Sequence, residues 1–194
     1  MSRIKTENEK YLVVVSGPSG CGKDTVVDKL IESNPKCSLS VSFTSRPMRS
    51  YEIDGEHYHF VTREDFLKRA DEGEMLEYAE YSGHLYGTPF SEIENKLRRG
   101  ETVILVIDVN GARQIKKTLQ NALSVFITPP SLDELERRLK QRHTESDSER
   151  KKRLQIAEKE IQSASEYDCV VENDVVTNCA EKLKGIIDSW QASH

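Results

Sequence analysis

A glycine-rich stretch, Gly17 to Thr25, constrains the fold more than any other part of the chain. It follows the apolar run Leu12–Val15 and precedes an amphipathic pattern that begins near Lys23. A short run of β-branched and aliphatic residues is typical of a strand buried on both faces, and apolar residues on one side predict a helix. Strand, glycine-rich loop and helix in this order predict an α/β protein with a phosphate-binding loop.

The spacing of Gly17, Gly22 and Lys23 matches the G-x-x-x-x-G-K pattern. In such loops, backbone N–H groups and a helix N-terminus surround phosphate oxygens. The last position departs from the pattern, because Asp24 stands where Ser or Thr usually offers a hydroxyl to a metal ion, and Thr25 follows one residue late. A structural glycine turn is the alternative. The flanking strand and helix favour nucleotide binding.

Length and composition limit the class of protein. The chain has 194 residues, enough for one domain with a full core, and its net charge of -5 argues against a large nucleic-acid footprint. The four cysteines form no C-x-x-C pair and are expected to be reduced. The polar start lacks a secretory signal, and no apolar run is long enough to span a membrane. We expect a soluble, cytoplasmic protein with a flexible tail at residues 1–10.

Three further apolar runs predict strands of a parallel sheet: Thr102–Asp108, Ser124–Thr128 and Cys169–Asn173. Successive β-α units favour right-handed connections. Asp108 ends the most apolar run. This is the pattern of a Walker-B-like aspartate, which lies near a Mg²⁺ ion at the neighbouring phosphate-binding loop.

The chain between these units does not continue the β-α pattern. Leu39–Phe43 alternates apolar and polar residues, as in a half-buried strand, and leads to Arg46 and Arg49. Two arginines at the carboxyl end of a strand favour an anion site, with a solvated loop as the alternative. Short tyrosine-rich segments follow, among them the hairpin Met75–Pro89. We interpret this region as an inserted subdomain.

Single residues of this region admit two interpretations. Glu77 either faces a pocket or is an exposed strand glutamate. His57 and His59 could chelate a metal, but no third ligand stands at suitable spacing, so a surface strand is favoured.

Helical periodicity predicts which residues face the core. Leu67 is expected to face inward with Phe66, and Leu132 with Leu135.

Five ordered motifs make the chain resemble guanylate kinase from Leu12 to about Trp190. They are Ser16–Lys23, Ser40–Arg49, Asp54–Phe60, Tyr86–Pro89 and Pro129–Leu139. This family transfers the γ-phosphoryl group of ATP to GMP, giving ADP and GDP. The resemblance implies a P-loop three-layer α/β/α fold with a parallel core sheet, an inserted small mixed α/β GMP-binding subdomain and a helical lid.

Together with the composition, the resemblance implies how the single domain 1–194 is divided. The expected parts are the tail 1–10, the core 11–44, 91–130 and 167–194, the GMP-binding subdomain 45–90, and the lid 131–166. ATP, GMP and the cofactor Mg²⁺ are the expected ligands, without nucleic-acid or membrane partners. Monomer and homodimer remain open.

The resemblance also assigns roles to residues. Catalysis would fall to Lys23, Arg138, Arg142 and Arg153. ATP would contact Gly17, Pro18, Ser19, Gly20, Cys21, Gly22, Lys23, Asp24, Thr25 and Asn173. GMP would contact Ser42, Arg46, Arg49, Tyr58, Glu77, Tyr86, Thr88 and Asp108. Asp108 would also hold the metal through water.

At Glu77 the chemistry agrees with the implied role. A carboxylate accepts hydrogen bonds from guanine N1–H and the 2-amino group, whereas adenine has an acceptor at N1 and no 2-amino group. Sites that pair with a substrate in this way reject the analogue by about 10⁴-fold or more. Ser42, Glu77 and Thr88 therefore argue against a nucleoside monophosphate kinase of other base specificity.

Three positions depart from the family pattern: Asp24, Val106, where a second acidic residue often precedes Asp108, and His143, where glycine is usual. A catalytically silent domain that binds peptides through the same arginines is the alternative in another functional class. The intact loop lysine, Lys23, argues against it.

Overall fold

Two sheets and the helices around them make up the computed structural model, which describes residues 4–141 and 147–194. The strands are β1 Leu12–Ser16, β2 Cys37–Leu39, β3 Phe43–Thr44, β4 His59–Phe60, β5 Met75–Tyr81, β6 His84–Pro89, β7 Thr102–Val106, β8 Leu123–Thr128 and β9 Cys169–Glu172. The helices are α1 Thr6–Glu9, α2 Lys23–Ser33, α3 Arg63–Asp71, α4 Phe90–Arg98, α5 Val109–Thr118, α6 Leu132–Gln141, α7 Asp147–Gln162 and α8 Val176–Ser193. A short 3₁₀ turn, Ser163–Glu166, follows α7.

The central sheet has the strand order β2-β7-β1-β8-β9, and all of its pairings are parallel. Its middle strand, β1, is buried over its full length. Val13 and Val15 face one core cluster with α2, α6, α7 and α8, whereas Leu12 and Val14 face a second cluster with α4 and α5. Helices on both faces explain why β1 is a continuous apolar run. The predicted three-layer α/β fold is confirmed.

The second sheet is small and mixed, with the order β4-β3-β6-β5. The hairpin β5–β6 is antiparallel, as the sequence predicts, and β3 pairs in parallel with β4. The sheet has a small core of its own, in which Phe66 of α3 packs with Met75 and Leu85. Three of its strands, β4, β5 and β6, lie within the region that the sequence marks as an insertion, whereas β3 precedes it.

The single strand predicted at Leu39–Phe43 is wrong. Leu39 ends β2 in the central sheet, whereas Phe43 begins β3 in the second sheet. Residues 40–42 connect the two strands. Ser40, the first of them, is buried and donates its N–H to Ile104 O at 2.8 Å. The second sheet therefore begins at residue 43, two residues before the predicted boundary.

The segment predicted as a flexible tail, residues 1–10, contains two residues that are packed against the rest of the protein. Ile4 is 4% exposed within the second core cluster. Glu9 is also buried, and its Oε2 accepts a hydrogen bond from Asn121 N at 3.0 Å. The polar composition of the segment does not predict these two contacts. One apolar residue and one paired carboxylate are enough to anchor a short segment.

Two leucines face solvent against the prediction. Leu67 of α3 and Leu132 of α6 are 41% and 42% exposed, whereas Phe66 and Leu135 are fully buried. Each exposed leucine lies at the edge of the apolar stripe, where periodicity assigns a face poorly. Within the described ranges, none of the helices combines the length and apolar character needed to cross a membrane.

Adjacent residues of α3 test the separate core of the second sheet. Phe66→Ala should lower the free energy of unfolding by about 3–5 kcal/mol, because it removes a fully buried ring. The control Leu67→Ala, in the same helix, should change it by no more than about 0.5 kcal/mol. Urea denaturation followed by circular dichroism measures both, and equal losses would contradict this packing.

Candidate active site

A cleft of about 400 Å³ lies where the glycine-rich loop, the second sheet, the end of β7 and helix α7 meet. Most of the residues assigned by resemblance line it: Gly17, Ser19, Gly20, Gly22, Lys23, Asp24, Thr25, Ser42, Arg46, Arg49, Tyr58, Glu77, Tyr86, Asp108 and Arg153. Others lie outside the lining: Pro18, Cys21, Thr88, Arg138 and Asn173. Arg142 and His143 fall outside the described residues.

The glycine-rich loop presents a helix N-terminus to the cleft. Gly22 is the N-cap of α2 and adopts φ 92°, and its side-chain-free position leaves the first N–H groups of the helix without a side-chain cap. Lys23 Nζ donates hydrogen bonds to Gly17 O at 2.7 Å and to Pro18 O at 3.2 Å. Backbone N–H groups and an ammonium therefore surround a site suited to an anion.

Asn173 and Arg138 support the glycine-rich loop through hydrogen bonds to its backbone. Asn173 is 1% exposed and donates through Nδ2 to Cys21 O at 2.8 Å. Arg138 donates to Cys21 O at 3.2 Å, to Asn173 O at 3.0 Å and to Glu134 Oε1 at 2.8 Å. A Cβ at Gly22 would come within 2.6 Å of Asn173 Nδ2, so only glycine allows this packing. In this arrangement Arg138 braces the loop from outside the cleft.

An arginine pair follows β3, as the sequence predicts. Arg46 makes a bidentate ion pair with the buried Glu52, with Nη2 to Oε1 at 2.7 Å and Nη1 to Oε2 at 3.0 Å. Its guanidinium also lies 5.6 Å from the centre of the Tyr58 ring. Hydrogen bonding to Glu52 raises the pKa of Arg46, although burial opposes it. Burial raises the pKa of Tyr58 to about 12, so its hydroxyl remains a donor at neutral pH.

A buried carboxylate faces the cleft from β5. Glu77 is 4% exposed and lies opposite Thr88 in the hairpin, next to a register shift after Met75. Thr88 Oγ1 donates to Glu77 Oε1 at 2.7 Å and lies 3.2 Å from Ser42 Oγ. Burial raises the pKa of Glu77 to about 7, with a further rise from Asp108, although Thr88 opposes it. Of the two interpretations of Glu77, the structure supports the pocket.

Asp108 connects the end of β7 to the next helix. Its side chain caps α5 by accepting a hydrogen bond from Gly111 N at 2.8 Å. The same Gly111 lets Glu77 approach, because a Cβ there would lie 2.4 Å from Glu77 Oε2. Asp108 and Thr25 both line the cleft.

No cluster of three or more His, Cys, Asp or Glu side chains that could hold a metal ion by itself occurs in residues 4–141 and 147–194. His59 lies in β4, whereas His57 lies in the exposed turn before it, so the surface strand predicted for both residues is wrong at His57. Both rings contact other groups. His57 Nδ1 accepts from Ile53 N at 3.1 Å, and the ring of His59 packs 4.9 Å from Phe43.

Sequence reasoning missed four residues around the cleft: Glu52, Tyr81, Gly111 and Glu160. Burial raises the pKa of Tyr81 to about 12. Burial also raises the pKa of Glu160 in α7, against an opposing effect of Lys23, and Glu160 Oε2 has no hydrogen-bond partner among the described residues. Of these four, only Glu52 could have been suspected from the sequence, because an acidic side chain three residues after Arg49 can accept a hydrogen bond from the backbone of a turn.

The pKa of Glu77 predicts how stability depends on pH. A carboxyl group whose pKa is about 7 in the folded chain and 4.5 in the unfolded chain binds its proton more tightly when folded. Its contribution to stability is therefore greatest below pH 4.5 and declines until about pH 7. Glu77→Gln removes this decline, so the stability of the variant relative to the parent should rise by on the order of 3 kcal/mol between pH 4.5 and 8.

Urea denaturation at several pH values measures this difference. Glu80→Gln is the matched control, because Glu80 lies in the same strand but is exposed and paired with Arg63 at 2.8 Å. Glu80→Gln should change the free energy of unfolding little, because exposed ion pairs contribute little. A difference between Glu77→Gln and the parent that stays constant with pH would contradict the raised pKa of Glu77.

Comparison with known proteins identifies the family. The sequence profile of the family described as Guanylate kinase matches residues 9–190. A guanylate kinase of Lactococcus lactis subsp. lactis is 46% identical over 178 residues, 92% of this chain and 87% of the relative. One of Desulfitobacterium hafniense is 42% identical over 181 residues, 93% of this chain and 90% of the relative. The crystal structure of guanylate kinase from Anaplasma phagocytophilum is 35% identical and superposes with a TM-score of 0.78 over 93% of this chain and 85% of that one. Since both the profile and the relatives extend over nearly all of the sequence, the chain belongs to the guanylate kinase family.

Proposed function

We infer that the protein transfers the γ-phosphoryl group of ATP to GMP, giving GDP and ADP. The observation that carries this function is that one cleft contains both a phosphate-binding loop and a buried carboxylate suited to guanine, Glu77. Family membership supports the same reaction. No observation favours a silent peptide-binding domain or a kinase for another base.

The proposed acceptor site divides GMP between two groups of residues. The cationic side chains of Arg46 and Arg49, with the hydroxyls of Tyr58 and Tyr86, would bind the phosphate, because guanidinium groups pair well with phosphate oxygens. Glu77 would accept from guanine N1–H and the 2-amino group. Binding would favour its ionised form, since only a carboxylate accepts both hydrogen bonds.

Ser42 and Thr88 would complete the guanine site. The Ser42 and Thr88 hydroxyls lie 3.2 Å apart, and Thr88 holds one oxygen of Glu77 in place. This leaves Glu77 Oε2, the second lone pair of Oε1 and the Ser42 hydroxyl available to a base. Adenine would leave the buried carboxylate without donors, which carries a large free-energy cost.

On the donor side, the loop would hold the phosphates of ATP. Lys23 would exchange its contacts with Gly17 O and Pro18 O for phosphate oxygens, while the N-terminus of α2 supplies N–H donors. Arg153 lines the cleft from α7 and would neutralise charge that develops during transfer. Such transfer depends mainly on positioning and electrostatics, so the proposal assigns no general base.

The residues of the cleft fit a magnesium ion bound together with the nucleotides. Mg²⁺ prefers oxygen ligands and keeps several waters, and Asp108 and Thr25 supply oxygens beside the loop. Asp108 would contact the ion through water, because one of its oxygens already accepts from Gly111 N. The bound ion would neutralise phosphate charge. Asp24, in the first turn of α2, offers a carboxylate where the family pattern has a hydroxyl.

Three further expectations stay predictions. They are a cytoplasmic location, the absence of nucleic-acid partners and the role of Asn173 at the adenine end of ATP. Asn173 Oδ1 is buried without a hydrogen-bond partner among the described residues.

A coupled assay of ADP release tests the function. With ATP and Mg²⁺, GMP should be phosphorylated with a kcat/KM about 10⁴-fold above that for AMP, UMP or CMP. Lys23→Ala should abolish turnover while calorimetry still detects GMP binding, because the lysine acts on the donor phosphates. Equal rates with AMP and GMP, or none with any acceptor, would contradict the proposed function.

Gly111→Ala tests the guanine site without altering its polar groups. The added methyl group would lie 2.4 Å from Glu77 Oε2 and displace the carboxylate, so KM for GMP should rise about 10-fold or more while KM for ATP stays unchanged. Gly185→Ala is the matched control, because Gly185 also lies in a helix but has open space around it. The control should change neither KM and should stabilise the protein slightly. An unchanged KM for GMP in Gly111→Ala would remove Glu77 from the guanine site.

A further inference from the structure

A buried carboxylate to which the proposed function gives no role lies beside the arginine pair. Glu52 is 8% exposed. Its two oxygens accept from Arg46 at 2.7 and 3.0 Å, and Oε2 also accepts from Arg49 N at 2.7 Å. Glu52 N in turn donates to Arg49 O at 3.1 Å. One side chain thus binds the guanidinium of the first arginine and closes the turn that carries the second.

The hydrogen bonds of Arg46 show which edge of its guanidinium is occupied. Of its five N–H groups, three are used by protein acceptors, because Nη1 also donates to Pro47 O at 2.7 Å. The Nε–H and one Nη2–H remain on the other edge of the guanidinium, where the Tyr86 side chain is a further hydrogen-bond partner. The Tyr86 hydroxyl lies beside this guanidinium and helps to raise the pKa of Arg46.

The position of Glu52 shows whether its carboxylate supports Arg46 or competes with a phosphate for it. Arg46 lines the cleft and Glu52 does not, so the carboxylate lies on the side of the arginine that faces away from the ligand. A buried arginine side chain, here 12% exposed, requires a paired charge, and bidentate pairing fixes the plane of the guanidinium. A competing carboxylate would instead occupy the cleft.

We propose that Glu52 is a positioning residue, which holds Arg46 and the backbone of Arg49 in place to bind the phosphate of the acceptor nucleotide. This inference rests on the proposed function, because that function assigns the two arginines to the GMP phosphate. Glu52 does not touch the nucleotide. Its effect is therefore confined to ligands whose phosphate occupies the acceptor site, such as GMP.

Glu52→Gln tests this role, because it keeps the size of the side chain and turns an amide donor toward Arg46. Calorimetry on the full chain should show GMP binding about 10-fold or more weaker, since a displaced guanidinium loses its alignment with the phosphate. Binding of guanosine, which lacks the phosphate, and binding of ATP should each change by less than about twofold.

Glu80→Gln is the control, because Glu80 forms an ion pair of similar length with Arg63 that is about half exposed. It should leave all three affinities unchanged, as exposed pairs contribute little. Glu52→Asp keeps the charge on a shorter side chain, and it replaces Glu52→Gln if that variant melts at the assay temperature. It should give the same pattern with a smaller effect.

Any other outcome contradicts either the role of Glu52 or the proposed function. Equal weakening of GMP and guanosine would show that Glu52 only supports the fold, and unchanged or tighter GMP binding would show that it does not position the arginines. Both results overturn the inference. Failure of the unaltered protein to phosphorylate GMP would overturn the proposed function instead, so the two failures are distinguishable.

Discussion

Parallel pairing between β1 and β7 is the constraint on which the cleft depends. In this register Val15 lies opposite Val106, and Ser16 Oγ, at the end of β1, donates to Ile107 O at 2.8 Å just after β7. The glycine-rich loop and the segment of Asp108 therefore leave the sheet at the same edge, side by side. The second sheet then needs only to bring Glu77 against α5 to complete the site.

Three cationic side chains in or beside the cleft are held by protein acceptors. Lys23 binds carbonyls of its own loop, Arg138 braces that loop, and Arg46 is paired with Glu52. These contacts hold positive charge in place and limit the entropy that a ligand must remove. The acceptors differ in kind, however. Neutral carbonyls can yield Lys23 to a phosphate, whereas the buried carboxylate of Glu52 keeps Arg46 fixed.

The sequence predicts the elements that depend on local pattern. Continuous apolar runs identify the parallel strands, and the loop spacing identifies the anion site, because both follow from neighbouring residues. The split at Leu39–Phe43 could not be predicted, since alternation does not tell which sheet receives each half. Exposure of Leu67 and the roles of Glu52 and Gly111 were missed for the same reason, because they depend on residues brought together only by folding.

Two acidic side chains of the cleft, Asp108 and Glu77, depend on one short segment at the start of α5. Asp108 caps α5 through Gly111 N, and the absence of a side chain at Gly111 makes room for the carboxylate of Glu77. The proximity of Asp108 also helps to raise the pKa of Glu77. One turn of α5 therefore sets both the space open to the Glu77 carboxylate and the charge that lies beside it.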